Sequence, residues 1–143
     1  MRLNPYLNFA GNAEEALNFY KNALSGNVIA IMRYGESPMP CDEDYKQKIM
    51  HARLEFKGNL IMLSDVFKGQ SVCTEGNISL SIEMDVDKGD TLFNTLAEGG
   101  TVIMPMADQF WGARFGMLKD KFGTHWMINC TLKKEDKTLD ITV

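Results

Sequence analysis

The sequence repeats one order of predicted elements, strand, helix, strand, strand, strand, with a period of about 70 residues. Alternating apolar runs in the first half predict strands over 4–10, 28–34, 50–56 and 59–64, and helical apolar spacing predicts a helix over 13–24. The second half repeats this order with strands over 78–84, 101–104, 115–118 and 125–128 and a helix over 88–98. The last two strands form a hairpin within the aromatic segment Trp111 to Trp126.

This repeat predicts an α+β fold of two tandem βαβββ modules. The first module is expected over residues 1–64, a linker over 65–77, the second module over 78–131 and a charged tail over 132–143. One helix covers only one face of each curved sheet, so we expect the two sheets to pair and leave a cup for a ligand. At the start of the first helix, Asn12 and Glu15 predict a capping box. Asp65 and Asp120 lie at turn positions, where carboxylates commonly bond nearby backbone N–H groups.

Composition excludes several classes of protein. The formal net charge of the 143 residues is -4 and no stripe of Lys or Arg is present, which argues against a nucleic-acid partner. The longest apolar runs are only a few residues, so we expect no membrane span, no signal peptide and a cytoplasmic location. Cys41, Cys73 and Cys130 are odd in number and lack CxxC spacing, which favours reduced thiols over disulfides or a zinc knuckle.

Several segments together resemble a known family. They are Pro5 to Ala16 with Phe19-Tyr20, Met50 to Ala52, Met62 to Asp65, and the hairpin that runs from Trp111-Gly112 to Phe122-Gly123 and Trp126. Over residues 3–131 the chain resembles the PhnB-like branch of the glyoxalase/bleomycin-resistance/dioxygenase superfamily, also called vicinal oxygen chelate proteins. Members of this branch often carry the label 3-demethylubiquinone 3-methyltransferase. The sequence has no Gly-rich strand-to-helix turn of the kind that binds a nucleotide-type methyl donor.

The resemblance also implies where a metal would bind. Metal-dependent members of the superfamily hold a divalent ion with one ligand from each of four strand positions, which here fall at residues 4–6, Met62, Ser79 and Met127. None of these residues is His, Asp or Glu, and a one-residue slip of register would supply only Ile61, Leu63, Leu80 or Ile128. We therefore expect no metal at the superfamily positions and no other cofactor.

Strand alternation predicts which side chains face the cup. The candidates for acid–base catalysis are His51, Glu55 and Glu83, and the candidates for ligand binding are Tyr6, Asn8, Arg53, Met62, Ser79, Ser81, Trp111, Phe115, His125 and Met127. His51 could be a general base oriented by a carboxylate, or His51, Arg53 and Glu55 could form a cross-strand ladder of ion pairs. Glu83 could accept a bond from a ligand's hydroxyl or amine, and Trp111 and Phe115 could stack on a planar or cationic ligand or pack in the core. His125 fits a role in stabilising the hairpin better than a role in ligation.

Three functions follow as alternatives. The first is a metal-free module that binds a small, partly apolar organic molecule in the cup. The second is an enzyme of unassigned reaction that uses His51 with Glu55 or Glu83 as acid and base. The third is a metalloenzyme with a displaced centre built from His51, Glu55 and His125. Exposed sheet edges, together with the resemblance, lead us to expect a homodimer.

Overall fold

The computed structural model describes residues 1–132 and divides the chain into two units, Met1–Cys73 and a second unit that begins at Thr74. The first unit contains β1 (Tyr6–Phe9), α1 (Ala13–Ala23), β2 (Asn27–Arg33), β3 (Ile49–Phe56) and β4 (Asn59–Asp65). The second contains β5 (Leu80–Asp85), α2 (Gly89–Ala97), β6 (Thr101–Asp108), β7 (Ala113–Lys119) and β8 (His125–Thr131). Each unit has the predicted order βαβββ and a four-stranded mixed sheet, so the α+β fold of two modules is confirmed.

The sheet of the first unit has the strand order β1-β4-β3-β2. β1 runs parallel to β4, with Tyr6 opposite Met62, whereas the other neighbours are antiparallel. The α1 residues that are buried recur at helical spacing, and the strand residues that are buried alternate along β3 and β4. This core is formed by Ala13, Ala16, Leu17, Tyr20, Ala52, Leu54, Ile61 and Leu63. One face of the sheet is therefore covered by α1.

The start of α1 is held by a distant carboxylate rather than by its own N-cap residue. Asn12 makes no side-chain capping bond, so the predicted capping box is wrong. Instead, Asp65 Oδ1 accepts hydrogen bonds from the backbone N–H groups of Gly11 and Ala13, each 2.9 Å long, and Asp65 Oδ2 accepts one from Ile49 N–H at 2.9 Å. The prediction that Asp65 bonds its neighbours in a turn is also wrong, since these partners lie 54, 52 and 16 residues away.

The sheet of the second unit has the order β5-β8-β7-β6, with β5 parallel to β8. α2 packs closely on it, because a Cβ added to Gly89 would lie 2.1 Å from Cys130 Sγ. In the loop between β7 and β8, Asp120 Oδ1 accepts bonds from the N–H groups of Phe122 and Thr124, which confirms the predicted turn. Asp120 Oδ2 also accepts a bond of 2.8 Å from Nε1–H of Trp126, which is only 1% exposed. The hairpin is thus anchored on a buried indole.

Several element boundaries differ from the predicted ones. Two short 3₁₀ turns lie where a loop was predicted over 35–48: Tyr34–Glu36 begins one residue before it, and Glu43–Tyr45 lies within it. β6 extends to Asp108, and β5 begins at Leu80, so Ser79 precedes the strand that was expected to contain it. Among the described residues, no helix has the length and hydropathy that a membrane span requires. Of the predicted C-terminal tail, residues 133–143 lie outside the described range.

Candidate functional site

One face of the first sheet carries a row of polar side chains from three adjacent strands. Along β3 and β4 the buried apolar residues Ala52, Leu54, Ile61 and Leu63 face α1. The residues that alternate with them point away from the helix, and they are His51, Arg53, Met62 and the buried Ser64. On β1, Tyr6 and Asn8 alternate with the less exposed Leu7 and Phe9. Tyr6 pairs with Met62 and Asn8 with Ser64, and Arg53 pairs with Met62 from the other side. The predicted alternation therefore brings these side chains together on one surface.

The closest polar contact on this face joins Tyr6 and His51. The Tyr6 hydroxyl lies 3.0 Å from His51 Nδ1, and the two ring centroids are 5.6 Å apart. Whether the hydroxyl donates to Nδ1 or accepts from it depends on the imidazole tautomer. In both cases Nδ1 is engaged, while none of the residues in 1–132 bonds Nε2. The imidazole is oriented at one nitrogen and can bind a ligand at the other.

The carboxylate that was expected to orient His51 lies elsewhere. Glu55 is four residues along the same strand, about 13 Å away at the usual rise of a strand, and its side chain is exposed. The expected ladder of ion pairs is likewise absent from the described part of the chain: Arg53 Nη1 instead contacts Met62 Sδ at 3.5 Å. A tyrosine, and not a carboxylate, is therefore the partner that positions His51.

A depression of about 300 Å³ continues this polar row toward the end of β4. Its polar lining includes Asn8, Ser64 and Gln70, and its apolar lining includes Met50 and Phe67. A second depression of about 180 Å³ shares Phe67 and also has Cys41 and Lys68 in its wall. Sequence reasoning missed Phe67 and Gln70 because residues 65–77 were assigned to the linker. It missed Met50 because strict alternation places Met50 on the same face as Ala52, toward the helix.

Two tyrosines fix the wall between the depressions and the core. Tyr34 donates its hydroxyl to the Asp65 carbonyl at 2.7 Å, and Tyr45 donates to the Val66 carbonyl. Their rings lie edge to face at 5.1 Å. Burial, followed by the negative charge of Asp65, raises the pKa of both phenols above the ordinary value. Both groups are therefore neutral hydrogen-bond donors at neutral pH, and they hold the segment after β4 in place.

The remaining candidates lie in the second unit. Ser81, Glu83, Phe115 and Met127 lie on β5, β7 and β8, on the sheet face away from α2. Trp111 lies in the turn before β7, 52% exposed, with its ring 6.1 Å from that of Phe115. His125 Nε2 lies 3.2 Å from the Thr74 carbonyl oxygen. This contact ties the beginning of the unit to β8.

The residues at the superfamily's metal positions do not fit a divalent ion. Tyr6 and Met62 lie side by side in the first sheet, and Met127 pairs with Ser81 in the second, whereas Zn²⁺ and similar ions need imidazole, carboxylate or thiolate donors. Within residues 1–132, no three His, Cys, Asp or Glu side chains converge as a metal site.

Comparisons with known proteins agree with this fold. A family model described as 3-demethylubiquinone-9 3-methyltransferase matches residues 1–129. Protein YjdN of Escherichia coli (strain K12) is 31% identical over 139 residues, which cover 90% of this chain and 95% of YjdN. The structure of protein PA1353 from Pseudomonas aeruginosa is 41% identical with a TM-score of 0.85, covering 93% of this chain and 99% of that one. The PhnB protein from Bacillus cereus is 27% identical with a TM-score of 0.78, covering 92% and 100%.

The wider superfamily is represented by a glyoxalase/bleomycin resistance protein/dioxygenase from Nocardioides. It is 20% identical with a TM-score of 0.58, covers 94% of this chain and 85% of its own, and shows likeness of fold alone. The family resemblance expected from the sequence is thus confirmed. The chain belongs to the PhnB-like family described as 3-demethylubiquinone-9 3-methyltransferase, and it shares the fold of the glyoxalase/bleomycin-resistance/dioxygenase proteins.

Proposed function

We propose that this chain binds a small, partly apolar organic molecule without the superfamily's metal centre. The observation that carries the proposal is the depression of about 300 Å³ on the first unit. Its volume is at the lower end of the range typical of small-molecule sites, and such sites combine an apolar wall with a few polar groups that fix orientation. Met50 and Phe67 supply the apolar wall here, and Asn8, Ser64 and Gln70 supply the polar groups.

The chemistry of the lining favours an uncharged ligand with hydrogen-bonding groups. The side chains of Asn8, Ser64 and Gln70 are neutral and can each donate and accept. Asp65 also borders the depression, but its carboxylate is buried and already accepts three backbone N–H bonds. Nε2 of His51, on the adjoining row, adds one further donor or acceptor. The apolar body of the ligand would lie against the phenyl ring and the thioether.

Ligand-induced shifts of the melting temperature across a library of neutral, anionic and cationic metabolites and antibiotics test this proposal. We expect neutral compounds to give shifts, and we expect Asn8→Ala and Gln70→Ala to weaken the binding of each neutral hit about tenfold. Asn22→Ala and Gln47→Ala are matched controls, because both residues are exposed away from the depression. A library without neutral hits, or neutral hits that all four variants affect equally, would contradict the proposal.

Metal dependence is tested separately. Protein purified without an affinity tag should contain substoichiometric transition metal at neutral pH, and chelation should leave ligand binding unchanged. A stoichiometric metal that is lost in His51→Ala would favour the displaced centre instead.

The family's name suggests methyl transfer, which needs a site for a nucleotide-type methyl donor. The N–H groups of Gly11 and Ala13 in the turn before α1 are not available for such a donor, because both are already bonded by Asp65. Binding of S-adenosylmethionine in calorimetry would favour methyl transfer and would count against the metal-free binding function proposed here.

A second candidate function is acid–base catalysis at His51, and the Tyr6 contact is the observation that favours it. An imidazole that a hydrogen bond holds in one orientation is suited to proton transfer at its other nitrogen. If activity screening finds a turnover, Tyr6→Phe should lower kcat while leaving the fold intact, and His51→Ala should abolish the turnover. An activity that survives in His51→Ala would exclude this role.

We also propose that the chain is a cytoplasmic homodimer. Support comes from the edge strands, where β2 exposes Ile29, Ile31 and Met32 and β6 exposes Val102, Ile103 and Met104. Unpaired edges with apolar side chains favour association. None of the three cysteines is in a disulfide, as a reducing compartment requires. Light scattering coupled to size exclusion should give twice the chain mass of 16.1 kDa, and a monomer at micromolar concentration would contradict the dimer.

A further inference from the structure

The second sheet has a row of three side chains that the proposed function does not use. Glu83 on β5 pairs with Asn129 on β8, and Asn129 pairs with Phe115 on β7. All three lie on the face away from α2, because the residues that alternate with them face that helix. Gly116, next to Phe115 on β7, shows this: a Cβ added to it would lie 2.8 Å from Cε2 of Phe93 in α2. The row therefore presents, in order, a carboxylate, an amide and a phenyl ring.

The amide in the middle of this row has an unsatisfied acceptor. Asn129 Oδ1 is buried, and within residues 1–132 no hydrogen-bond donor reaches it. A buried acceptor without a donor is uncommon in folded proteins and costs free energy, so such an atom calls for an explanation. A donor supplied by a ligand would satisfy it. The neighbouring carboxylate of Glu83 is a second acceptor, and it is exposed without an ion pair in the described chain.

The charges around the row favour a cation. Asp85 lies two residues beyond Glu83 on the same face of β5, so both carboxylates are on one side of the strand. The two basic residues of β7 are already engaged: Arg114 lies on the helix side, paired with Asp90 and Asp108, and Lys119 pairs with Glu75 at 2.6 Å.

Aromatic rings complete the site. The ring of Phe115 adjoins the amide, and Trp111, half exposed, lies 6.1 Å from Phe115 between ring centroids. An ammonium group near such rings gains from their quadrupoles, and an apolar body gains from contact with them.

We propose that this row is a binding site for a primary ammonium group carried on an apolar or aromatic body. Two N–H groups would donate to Asn129 Oδ1 and to the Glu83 carboxylate, and the body would lie against Phe115 and Trp111. A quaternary ammonium lacks the N–H that the amide oxygen needs. Because that oxygen is closed to solvent, a neighbouring side chain must move to admit the ligand, and the flexible thioether of Met127, next on β8, suits this motion.

Calorimetric titration of the full chain with three probes tests the proposal. The probes are 2-phenylethylammonium, its N,N,N-trimethyl derivative and 3-phenylpropionate, which share a phenylethyl body. We expect the primary ammonium to bind about tenfold more tightly than the trimethyl derivative, because only the former donates to both acceptors, and the carboxylate not to bind. Equal affinity for the two cations, or no detectable binding of the primary ammonium, would overturn the proposal.

Variants locate the binding and separate it from general electrostatics. Glu83→Gln and Asn129→Leu should each weaken the primary ammonium about tenfold. Asp87→Asn is the matched control, because it removes the same charge as Glu83→Gln from an exposed residue in the turn before α2. This variant should bind the primary ammonium as tightly as the wild type does. Asn129→Leu should also melt at a higher temperature without ligand, since it removes the unsatisfied acceptor. A lower melting temperature together with unchanged affinity would show that the amide is bonded by solvent only, which would refute the site. Asn8→Ala in the first unit should leave this binding unchanged, so the two proposals fail independently.

Discussion

Asp65→Asn tests whether one carboxylate joins β4 to both β3 and the start of α1. The substitution keeps the shape of the side chain but replaces one acceptor oxygen with an NH₂ group. If the remaining oxygen stays on Gly11 and Ala13, the NH₂ faces the N–H of Ile49, a residue with no exposed surface. One charge-assisted bond of about 1.5–3 kcal/mol is then lost, a buried N–H is left without an acceptor, and two further bonds lose their charge.

These losses together predict that the free energy of unfolding falls by about 3–4 kcal/mol. This is a large fraction of the free energy of unfolding of a typical domain, which is about 5–15 kcal/mol. Urea unfolding measures it. All four tyrosines lie in the first unit and both tryptophans in the second, so the near-ultraviolet tyrosine signal reports the unit that contains Asp65. Asp44→Asn is the matched control, because Asp44 is an exposed carboxylate paired with Lys68, and we expect its unfolding midpoint to equal that of the wild type. A loss below about 1 kcal/mol in Asp65→Asn would refute the reasoning.

Two further predictions concern the backbone and the tyrosines. Gly100→Ala should destabilise the second unit strongly, because the added Cβ would lie 2.3 Å from the backbone carbonyl oxygen of Lys119, whereas Gly76→Ala, with no atom within 4 Å, should leave the thermal midpoint unchanged; equal midpoints would contradict the close approach. In an alkaline titration followed by tyrosinate absorbance, Tyr34 should ionise above the ordinary pKa of about 10, because burial and the charge of Asp65 raise its pKa. The folded state then retains a proton that the unfolded state releases, so this part of the stability is complete below about pH 10 and is lost as the pH rises through the folded pKa. Tyr34→Phe should remove one late-ionising group from the titration, and an unchanged curve would contradict the assignment.

The features that the sequence predicted well are those with a local cause. Period-two alternation depends only on the strand itself, so it correctly separated His51 and Arg53 from the buried Ala52 and Leu54. The hairpin of β7 and β8 is likewise local, with Gly123 at a φ of +93° in the connecting loop. Such features need no knowledge of the neighbouring strand.

The features that sequence reasoning missed depend on contacts between distant segments. β1 and β4 are parallel neighbours, and their pairing brings Asp65 opposite Phe9 and next to the start of α1. No pattern within residues 10–15 indicates that a carboxylate 54 residues away from Gly11 will accept its N–H. The depression lined by Met50 and Gln70, and the unsatisfied oxygen of Asn129, arise in the same way from the packing of several segments.

The same pairing determines which side chains meet at the two first-unit positions where the resemblance placed metal ligands. The register of β1 and β4 brings Tyr6 beside Met62 at these positions. A phenol and a thioether cannot replace carboxylate or imidazole donors for a hard divalent ion. The Tyr6 phenol instead reaches His51 on β3 and orients the imidazole ring. A metal ligand placed at residue 6 would therefore remove the Tyr6 hydroxyl that positions His51. With this pairing of β1 and β4, the first sheet can present either metal ligands at residues 6 and 62 or the hydrogen bond between Tyr6 and His51, but not both.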